Sequence, residues 1–255
     1  MSIIKVIPCL DMNEGRVVKG VNFVNLQDVG DPAEMAAVYE KAGADELVFL
    51  DITATHEARP TRLDVAERTR AACTIPFAVG GGMRTISDIR AVLDAGADKV
   101  SLGSAAVRNP HLLQETSDLF GSRSLVCAVD VKKVSGAARD KWEVVIGGGR
   151  EFTGLDALTW ARKAESMGAG EILLTSMDCD GVKEGYDIAL TLAISDAVQV
   201  PVTASGGAGK VEHFVEAVVD GHASAVLAAS VFHFGEISIT DVKRALQAAG
   251  CEVNL

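Results

Sequence analysis

The chain contains LDAGADKVSLGS at residues 93–104 and VDGHASAVLAAS at residues 219–230, two similar segments 126 positions apart. Further pairs of similar segments are VGGG (79–82) with ASGG (204–207), AGADELVFLD (42–51) with MGAGEILLTS (167–176), and IPCLD ending at Asp11 with VCAVD ending at Asp130. A repeat of half the chain is much longer than the roughly 20–50 residues of a solenoid unit. The pattern therefore indicates one domain made of two fused halves.

Short apolar runs alternate with amphipathic stretches along the whole chain. The runs that predict strands are residues 5–10, 46–51, 76–79, 99–102, 124–130, 171–176, 201–204 and 224–228. Eight strand and helix units of about 32 residues each fit a (β/α)8 barrel, which typically has about 250 residues. We expect a single domain over residues 1–255, with halves at roughly 1–122 and 123–255. A doubly wound open sheet is the alternative, although no GxGxxG follows the first strand.

Composition excludes several classes of function. The formal net charge of −11 argues against a nucleic-acid binder, because phosphate backbones require a basic surface. No apolar run reaches the roughly 20 residues of a membrane span, and the first residues lack a signal-peptide pattern, so we expect a cytoplasmic protein. The five cysteines and five histidines are scattered, which predicts reduced buried thiols, no metal site and no cofactor.

Two aspartates are expected at the mouth of the barrel. Asp11 follows the first predicted strand and Asp130 follows the fifth, and residues at the carboxyl ends of barrel strands face the active site. A single aspartate at such a place is often only a turn cap. Two at corresponding places of a repeat favour a general acid and a general base.

Glycine-rich segments end the third and seventh predicted strands, at 80–82 and 205–207. Ser104 and Ser230 each open the helical segment after the next strand, where backbone amides favour an anion. A glycine pair alone usually marks a tight turn. The same combination in both halves predicts two phosphate pockets and hence a long bisphosphate ligand.

Two loops are further candidates for contact with a ligand. Lys19 lies in EGRVVKGVNF, which we interpret as a mobile loop that is present only in the first half; a solvated loop lysine is the alternative. Asp178, Asp180 and Gly181 follow the sixth strand and are candidates for binding sugar hydroxyls or phosphate.

Charged residues occupy the opposite ends of four predicted strands. Lys5, Glu46, Lys99 and Glu171 stand at or near the first position of the first, second, fourth and sixth strands. They are candidates for a ring of ion pairs that closes the bottom of the barrel, with ordinary surface charge as the alternative.

Several motifs together resemble the cyclase subunit of imidazole glycerol phosphate synthase. They are IPCLD, GRVVKGVNF, ADELVFLDITA, FAVGGGMR, FGSRSLVCAVD, GAGEILLTSMDCDGVKEGYD, ASGGAGKVEHF and LAASVFHF, which extend over essentially the whole chain. The resemblance implies a heterodimer with a glutaminase subunit that supplies ammonia. The implied substrate is a bisphosphate, phosphoribulosyl-formimino-aminoimidazole carboxamide ribotide, which is converted to imidazole glycerol phosphate for histidine synthesis.

The resemblance also implies roles for individual residues. Asp11 and Asp130 would be the acid and base; Gly82 and Ser104 would bind one phosphate, and Gly181, Gly207 and Ser230 the other. Lys19 would belong to the lid, and Asp51, Thr175, Asp180 and Ser205 would line the mouth. Lys5, Glu46, Lys99 and Glu171 would form an ammonia gate, with Asp98 at the partner interface.

Two other functions stay open at this point. The sister isomerase of the same pathway shares the half-barrel repeat and the paired acids but needs no ammonia. A barrel without catalysis, which binds phosphosugars and serves only as a docking partner, is the second alternative.

Overall fold

The computed structural model describes residues 3–21, 24–52, 54, 61–134 and 141–255, with the side chains of all of these except 19–21 and 24–27. The predicted lid residue Lys19 is therefore outside the residues with described side chains. Its backbone lies in a strand and pairs with Gln27.

The strands of the described chain are β1 (Lys5–Asn13), β2 (Arg16–Val21), β3 (Val24–Gly30), β4 (Leu47–Asp51), β5 (Phe77–Gly80), β6 (Lys99–Leu102), β7 (Leu125–Lys133), β8 (Trp142–Ile146), β9 (Glu151–Asp156), β10 (Glu171–Ser176), β11 (Val202–Ser205) and β12 (Ala225–Ala228). The helices are α1 (Pro32–Lys41), α2 (Leu63–Ala72), α3 (Ile86–Asp94), α4 (Ser104–Arg108), α5 (His111–Phe120), α6 (Ala157–Ser166), α7 (Ile188–Ser195), α8 (Val211–Val219), α9 (Ser230–His233) and α10 (Ile239–Ala248). None of these helices is long and apolar enough to cross a membrane.

The fold class is the predicted (β/α)8 barrel, made of two similar (β/α)4 halves. Eight strands coincide with the eight predicted apolar runs to within three residues at either end: β1, β4, β5, β6, β7, β10, β11 and β12. Apolar runs with short polar breaks are typical of parallel strands that are covered on both faces. This is why these strands were predictable from the sequence.

The chain divides into two compact units: a first unit, Met1–Ser101 with Leu227–Leu255, and a second unit, Leu102–Val226. In the first unit β1, β4, β5 and β6 pair in parallel in that order. In the second unit β7, β10, β11 and β12 do the same. That residues 1–255 form a single domain, with halves at roughly 1–122 and 123–255, stays a prediction.

Each unit carries a β-hairpin directly after its first parallel strand, so the prediction of a long insertion only in the first half is wrong. β2 and β3 continue from β1, and β8 and β9 continue from β7, all antiparallel. Between β8 and β9 stand Gly147, Gly148 and Gly149 at φ values of 64°, 70° and 78°. Glycine adopts positive φ without steric cost, as tight hairpin turns require.

The two units use the same anchor at equivalent positions, 125 residues apart. Glu40, in α1, accepts hydrogen bonds at Oε1 from the backbone amides of Thr74 (2.8 Å) and Ile75 (3.1 Å). Glu165, in α6, accepts at Oε1 from the amides of Gln199 (2.7 Å) and Val200 (3.1 Å). Each glutamate therefore fixes the chain that enters a later strand of its own unit, β5 in the first unit and β11 in the second.

Candidate active site

Asp11 lies inside β1 rather than after it, because β1 continues into the hairpin and ends at Asn13. The residue is only 6% exposed. Cys9, two residues earlier and so on the same face of the strand, donates its thiol proton to Oδ1 of Asp11 over 3.7 Å. The first unit therefore buries a carboxylate beside a thiol donor.

Asp130 occupies the corresponding place in β7 of the second unit. Burial raises the pKa of its carboxyl to about 6; the negative charge of Asp180 adds to the rise, and a hydrogen bond with Thr175 opposes it. Thr175 pairs with Asp130 across the β7 and β10 ladder and with Ser205 across the β10 and β11 ladder. The structure thus brings together four of the predicted residues in this unit: Asp130, Thr175, Asp180 and Ser205.

The raised pKa makes a prediction about stability. Asp130 has a folded-state pKa of about 6 against an ordinary value of 3.8, so its ionisation favours the unfolded state. Its contribution to stability is complete below about pH 4 and is lost as the pH rises through 6. An asparagine does not ionise, so the free energy of unfolding of Asp130→Asn should not fall as the pH rises through 6. We expect this variant to be more stable than the wild type by about 2–3 kcal/mol at pH 7.5.

Urea unfolding at pH 4, 5.5 and 7.5 measures this difference. Asp64→Asn is the control, because Arg62 lowers the pKa of the exposed Asp64 carboxyl and the sign is opposite. Stability curves of wild type and Asp130→Asn that stay parallel between pH 4 and 7.5 would show that the Asp130 carboxyl ionises normally.

The glycines at the end of β5 pack against the chain that follows β4. A Cβ atom on Gly81 would lie 2.2 Å from the carbonyl oxygen of Asp51, and one on Gly82 would lie 2.9 Å from Thr61 Oγ1. The Thr61 hydroxyl donates to the carbonyl of Gly81. The buried Asp51 carboxylate accepts at Oδ1 from the amide of Ala54 over 3.1 Å. Close packing therefore requires glycine here, and the role of Gly82 in phosphate binding stays a prediction.

The second unit repeats this arrangement after β11. A Cβ atom on Gly206 would lie 2.7 Å from the carbonyl oxygen of Ser176, and one on Gly207 would lie 1.9 Å from that of Gly185. The amide of Gly185 in turn donates to the Gly207 carbonyl over 2.8 Å. Gly181 differs, because no described atom comes within 4 Å of its hypothetical Cβ. Gly207 is therefore held by a neighbouring loop, whereas Gly181 faces open space.

The two predicted phosphate serines each begin a short helix. Ser104 is the first residue of α4, and its hydroxyl oxygen accepts from the amide of Gly147 over 3.0 Å. The hydroxyl proton of Ser104 is therefore directed away from that amide. Ser230 is the first residue of α9 and is half-buried.

The predicted gate residues divide between the units. In the first unit Glu46 is 1% exposed and accepts from Lys5 Nζ (2.9 Å) and from Lys99 Nζ (2.6 and 2.8 Å). In the second unit Oε1 of Glu171 accepts from the hydroxyl of Thr203 over 2.7 Å. The ion pairs among the first three residues are present, and the gate function of all four stays a prediction.

Asp98 holds local structure at the amino end of β6. Its Oδ2 accepts from Arg70 Nη2 and from the backbone amide of Phe77, both over 2.9 Å. Its side chain is 43% exposed. A place at a partner interface stays a prediction.

No group of three or more potential metal-ligating side chains is present in the described ranges. Cys9, Cys73 and Cys127 are buried as free thiols, and Cys179 and Cys251 are half-buried. Burial raises the pKa of the Cys127 thiol to about 12, which keeps it protonated.

Among the residues that contact the predicted site and that the sequence did not single out are Cys9, Gly147 and Thr203. The GGG run at 147–149 was a visible signal for a turn. Cys9 and Thr203 carried no signal of their own, because a cysteine or a threonine is an ordinary occupant of a buried strand.

Residues 5–238 match the model of a family described as histidine biosynthesis protein. The chain belongs to this family. Two relatives within the histidine biosynthesis proteins come from Bacillus cereus: one from strain Q1 is 57% identical over 251 residues, and one from another strain is 58% identical over 251 residues. In each case the likeness covers 98% of this chain and 98% of the relative. Both relatives are described as imidazole glycerol phosphate synthase subunit HisF.

Proposed function

We propose that the protein is the cyclase subunit of imidazole glycerol phosphate synthase. It uses ammonia to convert phosphoribulosyl-formimino-aminoimidazole carboxamide ribotide into imidazole glycerol phosphate and aminoimidazole carboxamide ribotide. The observation that carries the proposal is the likeness to two subunits of that name over 98% of the chain.

Proton transfers are the chemistry that we assign to Asp11 and Asp130. Ammonia attacks the formimino carbon and must lose a proton; the bond to the carboxamide ribotide then breaks, and the leaving nitrogen must gain one. Closure of the imidazole ring on the ribulosyl carbonyl then releases water. A carboxyl with a pKa of about 6, such as that of Asp130, exchanges protons near neutral pH more readily than an ordinary aspartate. The paired position of Asp11 in the other half of the repeat supports a complementary role.

Phosphate binding is the role that we propose for the glycine and serine positions of the repeat: Gly82, Ser104, Gly181, Gly207 and Ser230. Glycines let backbone amides approach an anion closely, and the Ser104 hydroxyl has a proton to donate. We assign the polar residues Asp51, Thr175, Asp180 and Ser205 to the rest of the substrate and Lys19 to the lid.

We also propose a glutaminase partner that supplies the ammonia, since the relatives are described as subunits. Lys5, Glu46, Lys99 and Glu171 would form the gate through which ammonia enters, with Asp98 at the interface. A cytoplasmic location, no cofactor and no metal complete the proposal.

Product analysis tests this function. Purified protein is given the ribotide substrate with and without an ammonium salt, and we expect imidazole glycerol phosphate only when ammonia is present. An isomerised product that forms without ammonia would identify the sister isomerase instead. If the protein binds the substrate but forms no product with or without ammonia, the remaining alternative is a barrel without catalysis that serves as a docking partner.

A further inference from the structure

Trp142 begins β8 and is a buried residue with one polar side-chain atom. The residue is 5% exposed, and its indole Nε1 donates a hydrogen bond to Oδ2 of Asp187 over 3.0 Å. An indole N–H can only donate, and it requires an acceptor when it is buried. Hydrogen bonds to an ionised carboxylate are about twice as strong as neutral ones, so the contact is a firm link between the two residues.

Asp187 joins this strand to the start of α7. Its other oxygen, Oδ1, accepts from the backbone amide of Leu190 over 2.9 Å, which caps the amino end of the helix. The two oxygens of one carboxylate therefore hold two elements, β8 and α7. An asparagine at this place could serve only one of them, because its side chain has a single acceptor oxygen.

The chain that leads to Asp187 is fastened to the same place in the sheet. Oδ2 of Asp178 accepts from the backbone amide of Lys133 over 2.7 Å. Lys133 and Trp142 are direct partners across the antiparallel β7 and β8 ladder. One cross-strand pair thus holds both ends of the stretch from Asp178 to Asp187, which we call the 178–187 segment.

The 178–187 segment carries or contacts residues that we assign to one end of the substrate. Asp180 and Gly181 lie within it. The amide of Gly185, also within it, donates to the Gly207 carbonyl over 2.8 Å. A shift of this segment would therefore move the proposed contacts to one phosphate.

The internal repeat offers a comparison. The equivalent of Asp187 in the first half, 125 positions earlier, is Arg62, which precedes α2 as Asp187 precedes α7. An arginine side chain has no acceptor atom, so it cannot take the place of this carboxylate. The bond that Trp142 makes therefore cannot be repeated at Arg62, which is consistent with a substrate whose two ends differ chemically.

We propose that Trp142 is a positioning residue that holds the 178–187 segment ready for the phosphate that we assign to Gly181 and Gly207. This inference rests on the proposed function. A segment that is ordered before binding loses less conformational entropy when the anion binds, so the affinity is higher. Because the indole is buried against Asp187, it acts through the segment and not on the reacting atoms. Its effect is therefore on the KM for the ribotide and not on kcat.

Steady-state kinetics of the purified protein test the inference, with a saturating ammonium salt and a varied concentration of the ribotide. Trp142→Phe keeps an aromatic ring at this place and removes the N–H. We expect this variant to raise the KM about tenfold, the change that corresponds to about 1.4 kcal/mol and to the loss of one hydrogen bond to a charged group. The kcat should stay near that of the wild type.

Three further variants make the result specific. Asp187→Asn removes the same bond from the other side and keeps the cap of α7, because asparagine is also a good N-cap. It should raise the KM to a similar extent, and the double variant should raise it no further, since both substitutions remove one interaction. Trp160→Phe is the matched control: Trp160 is the other tryptophan of the chain, lies in α6, is 3% exposed and should leave the KM unchanged on substitution.

An unchanged KM in Trp142→Phe and Asp187→Asn overturns the inference, and so does an equal rise of KM in Trp160→Phe, because the indole would then be only structural. Additive effects in the double variant, or a fall in kcat without a rise in KM, overturn it as well. If Trp142→Phe does not fold, the comparison of Asp187→Asn with Trp160→Phe decides. Wild-type protein that forms no imidazole glycerol phosphate with ammonium salt overturns the proposed function, and the inference with it. The two failures are therefore distinguishable.

Discussion

Replacing Asp11 by asparagine is expected to reduce turnover with ammonium salt by about 100- to 10,000-fold, the contribution of a general acid or base. The substitution keeps the shape of the side chain of a residue that is only 6% exposed, and it removes the carboxyl that we propose as the acid or base. Binding of inorganic phosphate should survive, because the proposed phosphate contacts come from other residues. Initial rates and phosphate titration of the same preparation measure the two effects.

Asp64→Asn serves as the control for this experiment, since Asp64 lies on the exposed start of α2 and pairs only locally with Arg62 among the contacts described. It should keep full turnover. Full turnover in Asp11→Asn would remove the acid and base assignment and with it the core of the proposed mechanism.

Gly207→Ala is expected to lower the free energy of unfolding by about 3 kcal/mol or more. The added Cβ would lie 1.9 Å from the Gly185 carbonyl oxygen, and the φ of +112° is one that residues with a side chain rarely adopt. The overlapping atoms, the carbonyl oxygen and carbon of Gly185, belong to the backbone, so no side-chain movement relieves the overlap. Phosphate affinity should fall in the same variant, because the segment after β11 must shift.

Gly181→Ala is the matched control. Gly181 also has a positive φ, +78°, but no described atom lies within 4 Å of the position of its Cβ. Gly181→Ala therefore has only the cost of placing a residue with a side chain at a positive φ, which is about 1–2 kcal/mol. Urea unfolding of both variants separates steric overlap from backbone strain. Equal losses would show that the loop at Gly185 moves freely to accommodate Gly207→Ala.

The two acids of the repeat are placed alike but surrounded differently. Asp11 has the Cys9 thiol as a donor, whereas the equivalent of Cys9 before Asp130 is Ala128. Asp130 instead bonds with Thr175; burial raises the pKa of its carboxyl, and the negative charge of Asp180 adds to the rise. Environments that differ in this way let two identical side chains perform different proton transfers.

Much of the fold could be predicted because its signals are local. Each of the eight parallel strands is a short apolar run, and Asp31 with Pro32 marks the start of α1 as capping rules require. The sequence does not by itself predict the hairpin formed by β8 and β9. Its one local signal is that WEVVI begins with apolar, polar and apolar residues, which the structure buries alternately more and less. The Lys19 segment is conspicuous by its length and not by a strand pattern, and the sequence therefore predicts a long insertion in the first half alone.

Sequence by itself determined the repeat, the positions of the parallel strands and the paired acids, because these depend on residue type and spacing along the chain. Tertiary structure alone decided which residues act on those acids and on the charged positions. Asp180 stands 50 residues after Asp130, Thr203 stands 32 after Glu171, and Gly185 stands 22 before Gly207. Hydrogen bonds, charge effects and steric overlap act over a few ångströms of space, and only folding brings such residues within that range.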